Sequence, residues 1–190
     1  QAPTIIVDLP VKFDIVWTAS STLLDVFNQF VHNVDLYQDL WNNLNELDRK
    51  TWILEPDNPT FSATNRRIAI SANASIQITV DPKHPSSLPD IKFLGSNQAT
   101  NPLRENMTSN LHLWDENEGL LHNLSSLLEV TFPSPSNSKK EDFSADCGIC
   151  YSYRLGMEIP EEVCNDSRCA QPFHQTCLIE WLRGLPSYRQ

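Results

Sequence analysis

The chain has 190 residues, a formal net charge of -10, 40% apolar and 20% charged residues, which is an ordinary balance for a protein able to bury one larger core and one small one. The acidic balance argues against a nucleic-acid binder that works by neutralising phosphates, because such proteins need clustered Lys and Arg. No apolar run approaches the ~20 residues of a membrane-spanning helix and no amino-terminal targeting pattern is legible, so direct nucleic-acid and membrane partners are not expected and a protein partner is.

In chain order, Thr4 to Pro10 and Val11 to Trp17 read as short strands broken at the proline. A helix follows from Ser21: Thr22 and Asp25 make a capping-box pattern, and Leu23, Phe27, Phe30, Val34, Tyr37, Trp41 and Leu44 recur at steps of four and three. That stripe predicts one helix with a single buried face, its aromatics serving as core. Thr51 to Glu55, Arg66 to Ile70 and Ser75 to Val80 alternate apolar and polar residues and are separated by Pro, Asn and Ser, the pattern of an antiparallel meander. Pro85 and Pro89 hold an extended loop before a further short strand at Ile91 to Leu94. A second helix is expected from about Glu116 to Leu128, capped by Asp115, with Leu120, Leu121, Leu124, Leu127 and Leu128 inward. The expected fold class is α+β: a helix, meander and helix domain over residues 1–132, a Pro, Ser and charge-rich linker over 133–143, and a small module over 144–190.

All five cysteines lie in that last module. Cys147-x2-Cys150, Cys164-x4-Cys169 and His174-x2-Cys177 occur in order, the spacing of a zinc cross-brace in which the first and third pairs share one ion. A two-residue gap lets one tight turn aim two ligands at one ion, and thiolates with imidazole suit zinc. Cys147, Cys150, His174 and Cys177 would close a four-ligand site, hence a structural one. Cys164 and Cys169 would begin a second site, expected to be incomplete because the sequence ends at Gln190 before a fourth pair. Disulfides are the rival reading. An odd cysteine count and 146 cysteine-free residues weigh against them. Reduced, metal-bound cysteines suit nucleus and cytoplasm. The N-x-[ST] triplets at Asn73, Asn106, Asn123 and Asn165 would favour a secretory route if used, but the motif is short and common.

The order helix, meander, His84-Pro-x-x-x-Pro89 loop, helix resembles the RWD branch of the ubiquitin-conjugating-enzyme fold, with His84 where a tyrosine is usual. This domain has no cysteine to carry a ubiquitin thioester, so the resemblance implies a scaffold or docking role. The stretch Phe173-His-Gln-Thr-Cys-Leu-Ile-Glu-Trp-Leu182 resembles the F-H-x-x-C-L-x-x-W-L core of RING ligases. Ligand spacing fits a PHD finger equally, and Ile149 with Trp181 tips the balance toward RING. With C-G-I-C-Y, I-P-x-x-V-C and C-L-x-E-W-L-R-G-L in one chain, the sequence is closely similar to the Fanconi anaemia complementation group L family of ubiquitin ligases.

That resemblance implies a RING-type ubiquitin ligase that recruits a ubiquitin-charged conjugating enzyme and places a single ubiquitin on paralogous DNA-repair proteins in crosslink repair. It implies the other subunits of the Fanconi anaemia core complex as partners. Ile149, Tyr151 and Trp181 would form the conjugating-enzyme platform, with Leu185 and Pro186 at its rim. Ile149 is expected to face outward because its neighbours turn to the metal, whereas Trp181 has the rival role of packing on the zinc loops. Trp52, Leu54, Leu88 and Leu94 would dock the substrate, with burial in the core as the competing reading. Rivals from other classes are a PHD-like histone-tail reader, with Tyr151 and Tyr153 as cage walls, and an inactive docking fragment.

Overall fold

The computed structural model describes residues 3–72, 74–143, 146–166 and 168–185. Its larger unit is a four-stranded antiparallel sheet in the order β1-β2-β3-β4, formed by Ile53–Glu55, Asn65–Ser71, Ala74–Thr79 and Asp90–Gly95. The meander is the expected one, and the register pairs Ile68 with Ile76 and Ile76 with Phe93.

The alternation of the strands sets two faces. Ile68, Ile76, Ile78 and Phe93 point to one side, where helices bury them with Leu40, Leu44, Leu47, Leu103, Leu120, Leu124, Leu127 and Leu128. Arg66 lies on β2 in the same alternate set and is almost fully buried. Its guanidinium meets Asp48 through two bonds of 2.7 and 3.1 Å, the paired geometry that a buried charge requires. Leu54, Arg67, Ser75 and Leu94 belong to the opposite set and line the boundary with the carboxy-terminal module.

The long amino-terminal helix is two: α1, Leu23–Leu36, and α2, Gln38–Lys50. Thr22 caps α1 with the expected capping box, since its hydroxyl accepts from Asp25 N–H while its own N–H donates to the Asp25 carboxylate. The break falls at Tyr37, whose ψ near 4° leaves the helical range. Only the second half of the stripe therefore reaches the core. Leu40, Leu44 and Leu47 are buried, whereas Leu23 is 71% and Phe27 59% exposed.

Residues 4–17 are not strands. They run extended with alternating burial, but Val16 pairs with the side chain of Gln29, which accepts from its N–H at 2.9 Å and donates to its C=O at 3.0 Å. The period-two pattern records one-sided packing without a backbone partner. A helix absent from the sequence reading, α3, spans Asn97–Asn110, capped by Ser96 and burying only Thr100 and Leu103. The last helix of the domain, α4, is Leu120–Leu128, shorter than expected. Asp115 does not cap it. Its carboxylate instead accepts from Asn117 N–H, while Asn43 Oδ1 accepts from the Leu120 N–H.

Candidate metal centre

The module after residue 146 has a small antiparallel pair, β5 (Glu162–Val163) with β6 (Pro172–Phe173), followed by α5, Gln175–Gly184. The first cysteine pair sits in a tight turn, where Tyr151 N–H donates to Cys147 C=O at 2.9 Å and Gly148 N–H to Pro172 C=O at 2.9 Å. Any side chain on Gly148 would strike Gln171 and Phe173, so this close approach needs glycine. His174 is the residue immediately before α5 and Cys177 lies in its first turn, so one helical turn brings both to the same side.

The four side chains converge. Their ligand atoms all lie within 4.8 Å of one another, with Cys147 and His174 fully buried. Cys150 Sγ is 3.4 Å and Cys177 Sγ 3.7 Å from His174 Nδ1. A tetrahedral ion with Zn–S and Zn–N bonds of ordinary length separates such atoms by about 3.6 Å. On the far side of the ring, His174 Nε2 lies 3.2 Å from the Tyr153 carbonyl oxygen. That bond holds the hydrogen on Nε2 and turns the Nδ1 lone pair toward the three sulfurs, the usual support of a ligand histidine.

The thiols themselves are unequal. Burial pushes Cys147 up, but the N–H groups of Cys150, His174 and Ile149 outweigh it and bring the thiol down to about 6. Burial and the neighbouring Cys150 and Cys147 push Cys177 up to about 12. Three sulfurs this close cannot all ionise unless a cation sits among them, so the donor set fits a divalent metal bound by three thiolates and one neutral imidazole. With four protein ligands, no position stays open for water.

Cys164 is half-buried and Cys169 exposed. They flank one loop, in which Cys169 N–H donates to Asp166 C=O at 2.9 Å, and no third ligand joins them among the described residues.

Of the residues assigned to a conjugating enzyme, Ile149 and Tyr151 adjoin Cys150 in the sequence and Trp181 lies one helical turn beyond Cys177 on α5. Tyr151 is 80%, Trp181 53% and Leu185 45% exposed, with Leu182 also open at 52%. Trp181 is thus a surface residue and not packing for the metal loops, while Ile149, expected to face outward, is half-buried. Leu182, the last residue of the RING-like stretch, was not assigned to the platform from the sequence, although it follows Trp181 directly on α5. Pro186 lies outside the described residues.

The docking candidates divide. Leu54 and Leu94 are buried, at 2% and 5% exposure, in the boundary between sheet and metal module, so neither offers surface to a partner. Trp52 is half-buried and donates from Nε1 to Ser138 Oγ at 2.9 Å. Leu88 is exposed. The expected linker is accordingly packed: Trp52 N–H donates to Pro133 C=O, and Lys140 pairs with Asp57 at 2.8 Å.

Between the two units lies a cavity of about 40 Å3 lined by Leu54, Arg67, Leu94 and Tyr153. Arg67 Nη1 and the Tyr153 hydroxyl are buried there without hydrogen-bond partners. Burial pulls the Arg67 guanidinium down from its ordinary value, countered by Tyr153, Glu161 and Glu55, and pushes the Tyr153 phenol up to about 12. Three of the asparagines in glycosylation-like triplets are engaged. Asn123 is buried and donates to Asp115 C=O, Asn106 donates to Leu128 C=O, and Asn165 Oδ1 accepts from Asn97 N–H. Asn73 is outside the described residues.

Residues 39–135 match the family described as FANCL UBC-like domain 3, and residues 143–190 match the FANCL C-terminal domain. The chain belongs to the FANCL family. It is 48% identical over all 190 residues to the E3 ubiquitin-protein ligase FANCL of Mus musculus, covering 51% of that protein. It is 23% identical over 176 residues to the E3 ubiquitin-protein ligase Fancl of Drosophila melanogaster, covering 88% of this chain and 46% of that one. The solved structure titled Crystal Structure of FANCL superposes with a TM-score of 0.71 at 24% identity, over 87% of this chain and 46% of its own. The chain thus spans about half the length of the FANCL relatives it matches, and its fold agrees with that of the solved FANCL structure.

Proposed function

We propose that this chain supplies the substrate-docking and RING-type parts of a ubiquitin ligase. The observation that carries the reading is the closed Cys147, Cys150, His174, Cys177 cluster with exposed Tyr151, Trp181, Leu182 and Leu185 on the turns and helix it organises. Those four ligands would hold zinc, which supplies a crosslink between the turn at Cys147 and α5 and no chemistry of its own. An apolar platform beside such a crosslink suits the surface of a conjugating enzyme, with Ile149 filling the patch from beneath.

The chain offers no nucleophile to the transfer. In this reading it holds a charged conjugating enzyme close to an acceptor lysine, so that proximity and a restricted thioester pose lower the barrier. Family resemblance supports paralogous DNA-repair proteins as acceptors in crosslink repair, the Fanconi anaemia core complex as the assembly, and the nucleus and cytoplasm as the location. Leu88 and Trp52 are the docking candidates that retain surface. The Tyr153 hydroxyl is buried against the sheet, which removes one wall of the aromatic cage that a histone-tail reader would need.

The test is discharge of a ubiquitin-charged conjugating enzyme onto free lysine. The zinc-loaded chain accelerates it, and Trp181→Ala lowers that acceleration at least tenfold. Equal rates with and without the chain would refute the reading.

A further inference from the structure

The metal module is fastened across the open face of the sheet by polar contacts at separate points. Arg154 Nη2 bonds the Glu55 carboxylate and lies 3.4 Å from Asp57. Lys92 Nζ on β4 meets Glu161 at 2.9 Å. Asn165 Oδ1 accepts from Asn97 N–H, the first helical residue of α3, at 3.0 Å. Arg154 lies one residue beyond Tyr153, whose carbonyl orients His174, and three beyond Tyr151 of the exposed patch. Its two acceptors lie at the end of β1 and just past it. The contact therefore joins the strand next to Trp52 to the loop that carries part of the platform.

We propose that Arg154 is a positioning residue: by bridging Glu55 and Asp57 it fixes the angle between the conjugating-enzyme platform and the docking domain, and so selects which lysines ubiquitin reaches. This rests on the ligase reading. Among the described residues the Arg154 side chain bonds only Glu55 and Asp57, so its loss leaves the chemistry of discharge intact and changes only where ubiquitin lands. Both carboxylates meet one nitrogen, Nη2, whose two N–H groups point in fixed directions in the guanidinium plane, so the bridge sets an orientation as well as a distance.

The experiment compares three zinc-loaded proteins: the natural chain, Arg154→Glu, and Arg154→Glu with Glu55→Arg. Each receives a ubiquitin-charged conjugating enzyme, with free lysine as one acceptor and the chain's own lysines, mapped by mass spectrometry, as the other. The expected result is discharge to free lysine within twofold for all three. In Arg154→Glu the share of ubiquitin on the most-used lysine falls at least twofold, and the charge swap restores it. An unchanged lysine pattern in Arg154→Glu overturns the proposal. So does a parallel loss of both reactions that the swap does not repair, because Arg154 is then only a part of the fold. If the natural chain discharges nothing, the ligase reading fails and takes the role in transfer with it. Small-angle scattering of the same proteins then decides the clamp itself: a larger maximum dimension in Arg154→Glu, reversed by the swap, upholds it, and identical curves overturn it.

Discussion

His174 Nε2 and the carbonyl oxygen of Tyr153 lie 3.2 Å apart, and through that pair the metal cluster is tied to the sheet of the docking domain. The carbonyl of Tyr153 orients the imidazole ligand, while its ring enters the cavity beside Arg67. The Cys and His cluster and module docking therefore share a residue, and separate atoms of that residue serve each.

The two roles come apart by substitution. Tyr153→Phe removes a buried hydroxyl that has no partner, so it should leave the unfolding free energy unchanged or raise it by about 1 to 3 kcal/mol, because such a group carries a desolvation cost that no bond offsets. Tyr153→Ala empties the contact and should cost about 3 kcal/mol. Urea denaturation of both variants checks the pair, and a large loss in Tyr153→Phe would show that the hydroxyl is bonded after all.

Burial also sets a pH dependence. The Tyr153 phenol is pushed up from 10.0 to about 12, so the folded state favours its neutral form. Its contribution is complete below pH ~10 and is lost as pH rises toward ~12. Ultraviolet difference titration should show one phenol ionising near the top of that window, and Tyr153→Phe should remove it.

Arg66 and Asp48 give a second stability test. The Arg66 side chain is 4% exposed and Asp48 supplies both of its carboxylate bonds. Asp48→Ala leaves a buried cation unpaired and should cost about 3 kcal/mol. Thermal unfolding should show a clear drop in Tm for this variant, whereas Lys12→Ala, whose pair with Asp14 is fully in solvent, should leave Tm in place.

The strands explain what the sequence could and could not reveal about the docking residues. Alternation at Ile76, Ile78 and Val80 fixed the sheet and its helix-covered face, and the Thr22 and Asp25 capping box fixed the start of α1. The opposite face carries Arg67, Ser75 and Lys92, which reads as solvent-facing, and only the folded chain places the metal module over it. Leu54 and Leu94 consequently look like surface candidates and are interface core. Helix α3 escaped notice because its inward face is only Thr100 and Leu103, with Pro102 between them; Ser96 as cap and Leu103 with Met107 at a four-residue step were the available signals. The convergence of Cys147, Cys150, His174 and Cys177 was legible, since C-x2-C and H-x2-C fix local turns whatever surrounds them.

That division predicts different phenotypes within the docking set. Leu54→Ala should lose about 2 to 4 kcal/mol of stability as a buried leucine does. Leu88→Ala should change stability by less than about 0.5 kcal/mol, so any loss of substrate binding in it reports on the surface alone. Equilibrium unfolding alongside a pull-down of the acceptor protein separates them.

In the proposed ligase Cys147, Cys150, His174 and Cys177 close around one metal and thereby build the platform at Tyr151 and Trp181. The direct measurement is zinc per chain by elemental mass spectrometry after dialysis against a weak chelator, for the natural protein and for Cys147→Ser. The expected result is at least one equivalent in the natural protein and one fewer in the variant, whose tryptophan fluorescence also changes. A natural protein without zinc, or a variant that keeps all of it, would show that these four side chains do not form a metal site.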